Sequence, residues 1–409
     1  MAEVIEAELA DKPAHVPNAL VFDFDLFAVR GSLEDVHAAY HAIQQNAPDI
    51  FWTPRNGGHW VATRSEDIMA MQLDHGHFSH RDISIPPMPA EKARLIPLEL
   101  DPPEHPHYRK PLTFALTPAA VRDLEAKVRL VAIDTIERLQ PNGHCEFIHD
   151  FANVLPIHVF LDMVQLPLSD KDYLLQLGEK VVRVRDPEQR YRAQQELGVY
   201  LDKWVTQRRD EPGDDLLSKL VNLEIGGQRI DHAEAISYAS LVLFGGLDTV
   251  ASMLGFFARF LALNSGHRRQ LVERLDDDKF VSGAIEEMMR RHGIANTARV
   301  VVGDITYKDL HLVAGDRVLP ANLFVGLDDR INPEPLTIDF QREKPVHAVF
   351  GNGAHACPGA ALARRELRVF LQEWLKRIPD FEITPGTVPA LATGMTNAVV
   401  ELQLSWSTE

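Results

Sequence analysis

The sequence predicts a mainly α protein with small peripheral β-sheets, folded as one large domain. Three observations carry that reading. From Pro118 to residue 295 nearly every stretch repeats its apolar residues at helical spacing. Strand signals are short and confined to a few places. Finally, Ala235–Leu263 is apolar over almost its whole circumference, the mark of a buried central helix. A helix of about 30 residues spans about 45 Å, enough to cross a domain. A chain of 409 residues could by length alone hold two or three domains, but no internal repeat, low-complexity linker or break in composition divides it.

Composition narrows the function classes. The chain is 45% hydrophobic and 25% charged, as ordinary globular proteins are. A net charge of −17, with no basic run, argues against nucleic-acid binding. The two cysteines, Cys145 and Cys357, offer no disulfide framework and fit a reducing compartment. The acidic N-terminus has neither the basic start of a signal peptide nor the roughly 20-residue apolar span of a membrane anchor. The expectation is a flexible arm over residues 1–17, one domain over 18–409, and a soluble, cytoplasmic protein that needs no membrane.

Taken in order, Glu34 to Gln44 reads as a short helix. Asp49 to Arg64 reads as a hairpin turning at Asn56-Gly57-Gly58, with Trp60 and Ala62 alternating against His59 and Val61. His75, His77 and His80 crowd together, a pattern that could suggest a metal site but has no cysteine or carboxylate pattern behind it. Residues 83–103 are proline-rich and aperiodic, hence a long loop of the kind that often binds ligands. Helices follow from Pro118, interrupted by turns at 141–143, 211–213 and Gly226-Gly227. Strand signals return between Ala298 and Pro320, with turns near Gly303 and Gly315, and again in the closing 399–406.

Within the apolar helix, which Asp231-x-x-Glu234 should cap, lies Gly245-Gly246-Leu247-Asp248-Thr249. Each glycine costs about 1 kcal/mol relative to alanine in a helix interior, so something should require the missing side chains. An acid beside a threonine there is a second expense unless both are paired. A transmembrane reading fails on Asp248 and Arg259. Downstream, Glu287-x-x-Arg290 places opposite charges on one helix face.

The last distinctive stretch is Phe350-Gly351-Asn352-Gly353-Ala354-His355-Ala356-Cys357-Pro358-Gly359, a glycine-loosened loop delivering one cysteine to a helix start. Pro358 suits a first helical position. Cys357 would then cap a helix whose N–H groups and dipole favour a thiolate. Leu362, Leu367, Val369, Phe370 and Trp374 are that helix's expected core positions.

The spacing F-x-x-G-x-H-x-C-x-G resembles the haem-ligand loop of the cytochrome P-450 superfamily, the haem-thiolate monooxygenases. The resemblance implies the cytochrome P-450 fold, haem b (iron protoporphyrin IX) with Cys357 as axial iron ligand, and Phe350 beside it. Gly245-Gly246-Leu247-Asp248-Thr249 resembles the family's oxygen-activating groove. There Gly245 and Gly246 would leave room for dioxygen, Thr249 would hydrogen-bond the oxygen being activated, and Asp248 would relay protons. His105-x-x-x-Arg109, Arg299 and His355 match the family's haem-propionate clamp. Glu287 and Arg290 resemble its structural E-x-x-R pair. The arginine that usually completes that pair is missing from Pro335-Leu336-Thr337-Ile338, and Arg342 is the candidate substitute.

From about residue 45 onward the chain most resembles the bacterial camphor-hydroxylase group. In that group a [2Fe–2S] ferredoxin and its NAD(P)H-dependent flavin reductase supply electrons. The docking face would lie on the cysteine side, near Arg109, Lys110, Lys344 and Arg364. The tyrosine that anchors camphor's ketone is replaced here by Ala93, and Leu98, Leu241, Phe244, Met395 and Thr396 are candidate pocket residues. The expected substrate is a small apolar terpenoid or norisoprenoid, such as an ionone, hydroxylated or epoxidised with O2. Alternatives are a peroxide-driven or non-oxygenating haem-thiolate enzyme, or a haem-binding sensor. Pro358 has no N–H to lend to the sulfur, which should lower the iron reduction potential.

Overall fold

Two hydrophobic cores divide the chain, and one long helical rod passes through both. The computed structural model describes residues 9–408. Leu100, Phe160, Leu174, Leu197, Tyr238 and Leu247 belong to one core, and Val250, Leu254, Phe257, Met288 and Trp374 belong to the other. The rod is built as His232–Leu247 and Thr249–Leu263, broken at Asp248. The expected single helix is therefore two segments, each in its own core. Asp231 caps the first segment through a reciprocal bond with Glu234. The span His232–Leu263 is long and apolar enough to cross a membrane, but 61% of its most apolar window is buried inside the protein.

The last long helix, Ala360–Arg377, lays Leu367, Phe370, Leu371 and Trp374 along one stripe, each fully buried, while Leu362 is only half-buried. Trp374 meets Phe147, Phe151 and Phe370 at ring-centroid distances of 5.1–6.0 Å, the offset and edge contacts aromatic rings prefer. The helix begins two residues later than the sequence suggested. Gly359, not Cys357, is its N-cap, so Pro358 lies outside the first turn.

The largest sheet has five strands in the order Ile50–Thr53, His59–Ala62, Arg317–Pro320, Arg299–Val301 and Phe78–Ser79. The hairpin turn at Asn56, Gly57 and Gly58 has φ of 54°, 85° and 78°. All four residues of His59–Ala62 are buried, so the expected alternation fails. This strand lies between two others and is covered on both faces. Gly226-Gly227, expected to join helices, instead turns a small hairpin between Glu224–Ile225 and Gln228–Arg229. His144–Glu146 likewise leaves the helical register to pair with Gln403–Ser405. A helix at His105–Ala115 precedes the one expected from Pro118. Residues 83–103 form a loop, as their composition predicts.

The expected loose arm, 1–17, lies outside the described residues as far as residue 8. From residue 9 it is tied down: the Ala10 N–H donates to the Pro54 carbonyl at 2.8 Å, Val16 is buried, and His15 meets Asp316 at 2.9 Å.

Glu287 and Arg290 form a fully buried pair, with Arg290 Nε 2.8 Å from Glu287 Oε2. Arg342 takes the place of the absent arginine, its Nε donating to both Glu287 oxygens at 3.0 and 3.1 Å. Arg290 also donates to the carbonyls of Gly326, Pro335 and Thr337 at 2.6–3.0 Å. The pair thereby ties down the backbone at Gly326, Pro335 and Thr337, upstream of the cysteine loop.

Glu366 differs from these acids. It is buried and makes no hydrogen bond or ion pair among the described residues, and burial pushes its carboxyl up to about 8. Its folded pKa exceeds its unfolded value, so its contribution to stability is complete below about pH 4.5 and is lost as pH rises toward 8. At pH 7 the loss is on the order of 3 kcal/mol. Thermal unfolding of Glu366→Gln between pH 5 and 8 should therefore vary less with pH than wild type. Parallel Tm curves for the two proteins would contradict this.

Candidate functional site

The site lies where the central rod breaks. Leu241, Gly245 and Thr249 follow one another at four-residue spacing, so they share one face of the rod. All three keep exposed surface although Leu243 and Leu247 between them are buried. A Cβ added at Gly245 would meet nothing within 4 Å. Beside this open space the Thr249 hydroxyl donates to the Gly245 carbonyl at 3.1 Å. Gly246 has another role than expected. A Cβ there would come within 2.5 Å of the Phe160 ring, so this glycine admits a neighbouring helix rather than a ligand.

Asp248 and Thr249 are adjacent in sequence but face apart. Asp248 pairs with Arg183, from the helix Lys171–Arg183, and Arg183 also donates to Ser252 at 3.1 Å. These three residues line a cavity of about 410 Å³ together with His149, Asp172 and Glu179. Sequence reasoning missed Arg183. Its only signal was a basic residue ending an amphipathic helix.

Cys357 sits in a loop held by its own backbone. Its N–H donates to the Phe350 carbonyl at 2.7 Å, and Gly353–His355 forms a short 3-10 turn. Burial pushes the thiol up, against the Gly359 and Ala360 N–H groups and the charges of Arg109 and Arg364. Pro358 is absent from that set of donors. Cys357 nevertheless retains accessible surface, as a group facing an internal space does. The expectation of a dipole-stabilised thiolate at a helix cap is thus corrected: burial dominates, and a metal cation is what would draw the sulfur into its thiolate form. Arg364 lies over the Phe350 ring at 4.5 Å and is fixed by Glu286 at 2.6 and 3.0 Å.

A third group of side chains gathers around His355. Its ring lies 4.4 Å from that of His105 and 3.4 Å from that of His80, the latter nearly parallel. Asp101 Oδ1 is 3.7 Å from His355 Nε2. Arg299 is buried alongside, its guanidinium pushed down to about 9 by burial, with Asp101 opposing. Burial, then the neighbouring charges of His355 and Arg109, take His105 down to about 4. Arg109 donates to the Ala356 carbonyl, next to the cysteine. His75, His77 and His80 do not assemble a metal site: His77 bonds Asp74 at 2.7 Å, while His80 turns inward. Among the described residues no group of three side chains is arranged to hold a metal ion.

The family model for cytochrome P450 matches residues 182–399. A probable cytochrome P450 127A1 from Sinorhizobium fredii is 32% identical over 97% of both chains. The chain belongs to the cytochrome P450 family. The P450 CYP101J2 crystal structure superposes with a TM-score of 0.87 at 36% identity, over 98% of this chain and 100% of that one. The crystal structure of CYP101C1 gives 0.88 at 34%, over 97% and 100%.

A P450 uses haem b with an axial cysteine thiolate, and the residues here fit that group. His80 and His355 each have two buried ring nitrogens without a hydrogen-bond partner, and His105 Nε2 and Arg299 Nε are orphaned as well. Each unpaired buried polar group costs about 1–3 kcal/mol. Such a concentration of potential donors calls for a ligand rich in acceptors, and two propionate carboxylates provide that. On the other side, open space at Gly245 and an inward-facing cysteine leave room for a flat macrocycle. The candidate pocket residues divide between the cores: Phe244 packs in the first and Met395 in the second. Met395 and Thr396 lie against residues 295–296 through the Met395 carbonyl and an Ala295–Thr396 bridge. Leu98, in the long loop, keeps part of its surface.

Two predictions follow from the rod and the loop. Gly246→Ala should destabilise by about 1–3 kcal/mol through overpacking against Phe160, whereas Gly245→Ala should gain up to about 1 kcal/mol from helix propensity. Chemical denaturation of both variants measures the difference, and equal effects would refute the assignment of separate roles. Pro358→Leu adds an N–H beside the sulfur and should raise the iron reduction potential. Spectroelectrochemical titration reads this directly, and an unchanged potential would count against it.

Proposed function

We propose that this P450 is a ferredoxin-dependent monooxygenase inserting one oxygen atom from O2 into a small apolar terpenoid or norisoprenoid of ionone type. Its support is the break in the central rod, which puts the Thr249 hydroxyl beside open space and Asp248 on the opposite, solvent-linked side.

In this reading Cys357 is the iron ligand, with Phe350 packed near it and pinned by Arg364. His105, Arg109, Arg299 and His355 hold the propionates. Haem ligated by thiolate supplies oxygen binding and O–O cleavage, which the electron density on sulfur favours. The remaining work belongs to the chain. Thr249 donates to the Gly245 carbonyl, which leaves its oxygen lone pairs free to accept a hydrogen bond on the open side. Asp248 takes a proton from solvent in the adjoining cavity. To pass it inward, its carboxylate must leave Arg183 and turn toward Thr249. General acid groups so placed contribute typically 10²–10⁴-fold.

Leu98, Leu241, Phe244 and Met395 give the substrate pocket an apolar lining, with Thr396 its polar member. Ala93 has no donor side chain, and its carbonyl is occupied by Gln194 at 3.0 Å. An apolar substrate held by shape suits that lining. Relatives near 30% identity include a Nocardicin C N-oxygenase from Nocardia uniformis, 28% identical over 91% of this chain and 96% of that protein, so the substrate is argued from the pocket rather than from likeness. Electrons would arrive from a [2Fe–2S] ferredoxin and its flavin reductase, docking near Lys110 and Lys344, both exposed. Burial of the apolar rod inside the protein argues against its spanning a membrane.

The test is the absorption spectrum of the ferric protein titrated separately with β-ionone and camphor. A low-to-high-spin Soret shift, strong with β-ionone and weak with camphor, is expected. Tight camphor binding with full coupling would overturn the substrate assignment. Turnover with peroxide but not with NADH, ferredoxin and reductase would overturn the electron source. The lack of a Soret band in haem-replete protein would overturn the reading as a whole.

A further inference from the structure

We propose that His80 is an additional partner of the haem propionates, contributed by the sheet edge and lying outside the four-residue clamp proposed above. The inference rests on the clamp reading above and extends it to a residue outside the family pattern.

Strand pairing puts the residue there. Phe78–Ser79 pairs antiparallel with Arg299–Val301, Ser79 opposite Val300. One further step in that register sets His80 opposite Arg299. The backbone is fixed at this point by Asp101, which accepts from the Ser79 hydroxyl at 2.5 Å and from the His80 N–H at 3.1 Å. The side chain is thereby aimed into the space shared with His355, His105 and Arg299, and His80 is only 3% exposed.

A histidine in that position with a purely structural task would spend at least one nitrogen on the protein. Neither Nδ1 nor Nε2 of His80 has a partner. The Leu98 carbonyl is close to the ring but outside hydrogen-bond geometry. The ring instead lies 3.4 Å from that of His355 at an interplanar angle of 15°. Both rings therefore turn their edges toward the same surroundings. Those surroundings hold Arg299 and His105 as further potential donors, and one carboxylate, Asp101, already committed to Ser79, the His80 backbone and, at 3.7 Å, His355. Burial, followed by the charges of Arg299, His355 and His105, pushes His80 well down, so in the protein alone it is neutral. A neutral imidazole still carries one N–H donor. A propionate oxygen would satisfy it in a charge-assisted bond.

The experiment compares holoenzymes of wild type, His80→Phe and His80→Gln. Haem loss to excess apomyoglobin and the propionate-bending bands in the resonance Raman spectrum are both measured. His80→Phe keeps a ring against His355 and removes the donor. It should release haem about ten-fold faster and move a propionate band. His80→Gln, which can donate, should stay near wild type in both. Should His80→Phe not accumulate as folded protein, His80→Ala takes its place. Faster haem loss with unmoved bands would mean that His80 acts by packing alone, and unchanged loss that it does not act on haem; either overturns the proposal. Failure of the clamp reading itself would look different. Wild type would then have propionate bands typical of free haem in water, and Arg299→Leu would leave them in place.

Discussion

A rod of apolar helix that must serve two cores is the constraint from which this structure follows. An unbroken helix would have buried its middle as thoroughly as its ends. The break at Asp248 instead leaves a short length where one face is open and the other is ionic. Helices before the break pack with Tyr238 and Leu247, those after it with Leu254 and Phe257. Gly245, Asp248 and Thr249 therefore occupy the seam between two separately packed bodies. Buried polar groups would be ruinous inside either core. At a seam they can be paired on one side and left available on the other.

Much of this was legible in the sequence because the demands on it are local. Helical periodicity, the Asp231-Glu234 cap and the glycine-spaced cysteine loop are each written within a dozen residues. The two-glycine segment was legible as an anomaly but not in its division of labour. Whether a missing Cβ makes room for a ligand or for a neighbouring helix depends on Phe160, more than 80 residues away. The same distance problem hid Arg183 behind Asp248 and His80 behind His355. In the sequence His80 belonged with His75 and His77, which share its neighbourhood but not its direction.

The burial of His59–Ala62 and the helix start at Ala360 were misjudged for a related reason. Alternation reports a sheet with one wet face, and this strand has none. Proline at 358 permits a helix to start but does not compel it, and the loop's own bonds, Cys357 N–H to Phe350 among them, hold the chain out of helical geometry until Gly359.

The buried acid Glu287 carries a wider lesson. Its second arginine arrives from Arg342, several residues downstream of where the family places it, and reaches both carboxylate oxygens all the same. What the fold preserves at this point is a charge balance, not a word in an alphabet. A lineage can move such a residue along a loop in small steps, provided that one guanidinium is always within reach. Searches for distant kin that demand a fixed string would discard this chain at the meander. Searches that ask which cations surround a buried carboxylate would keep it.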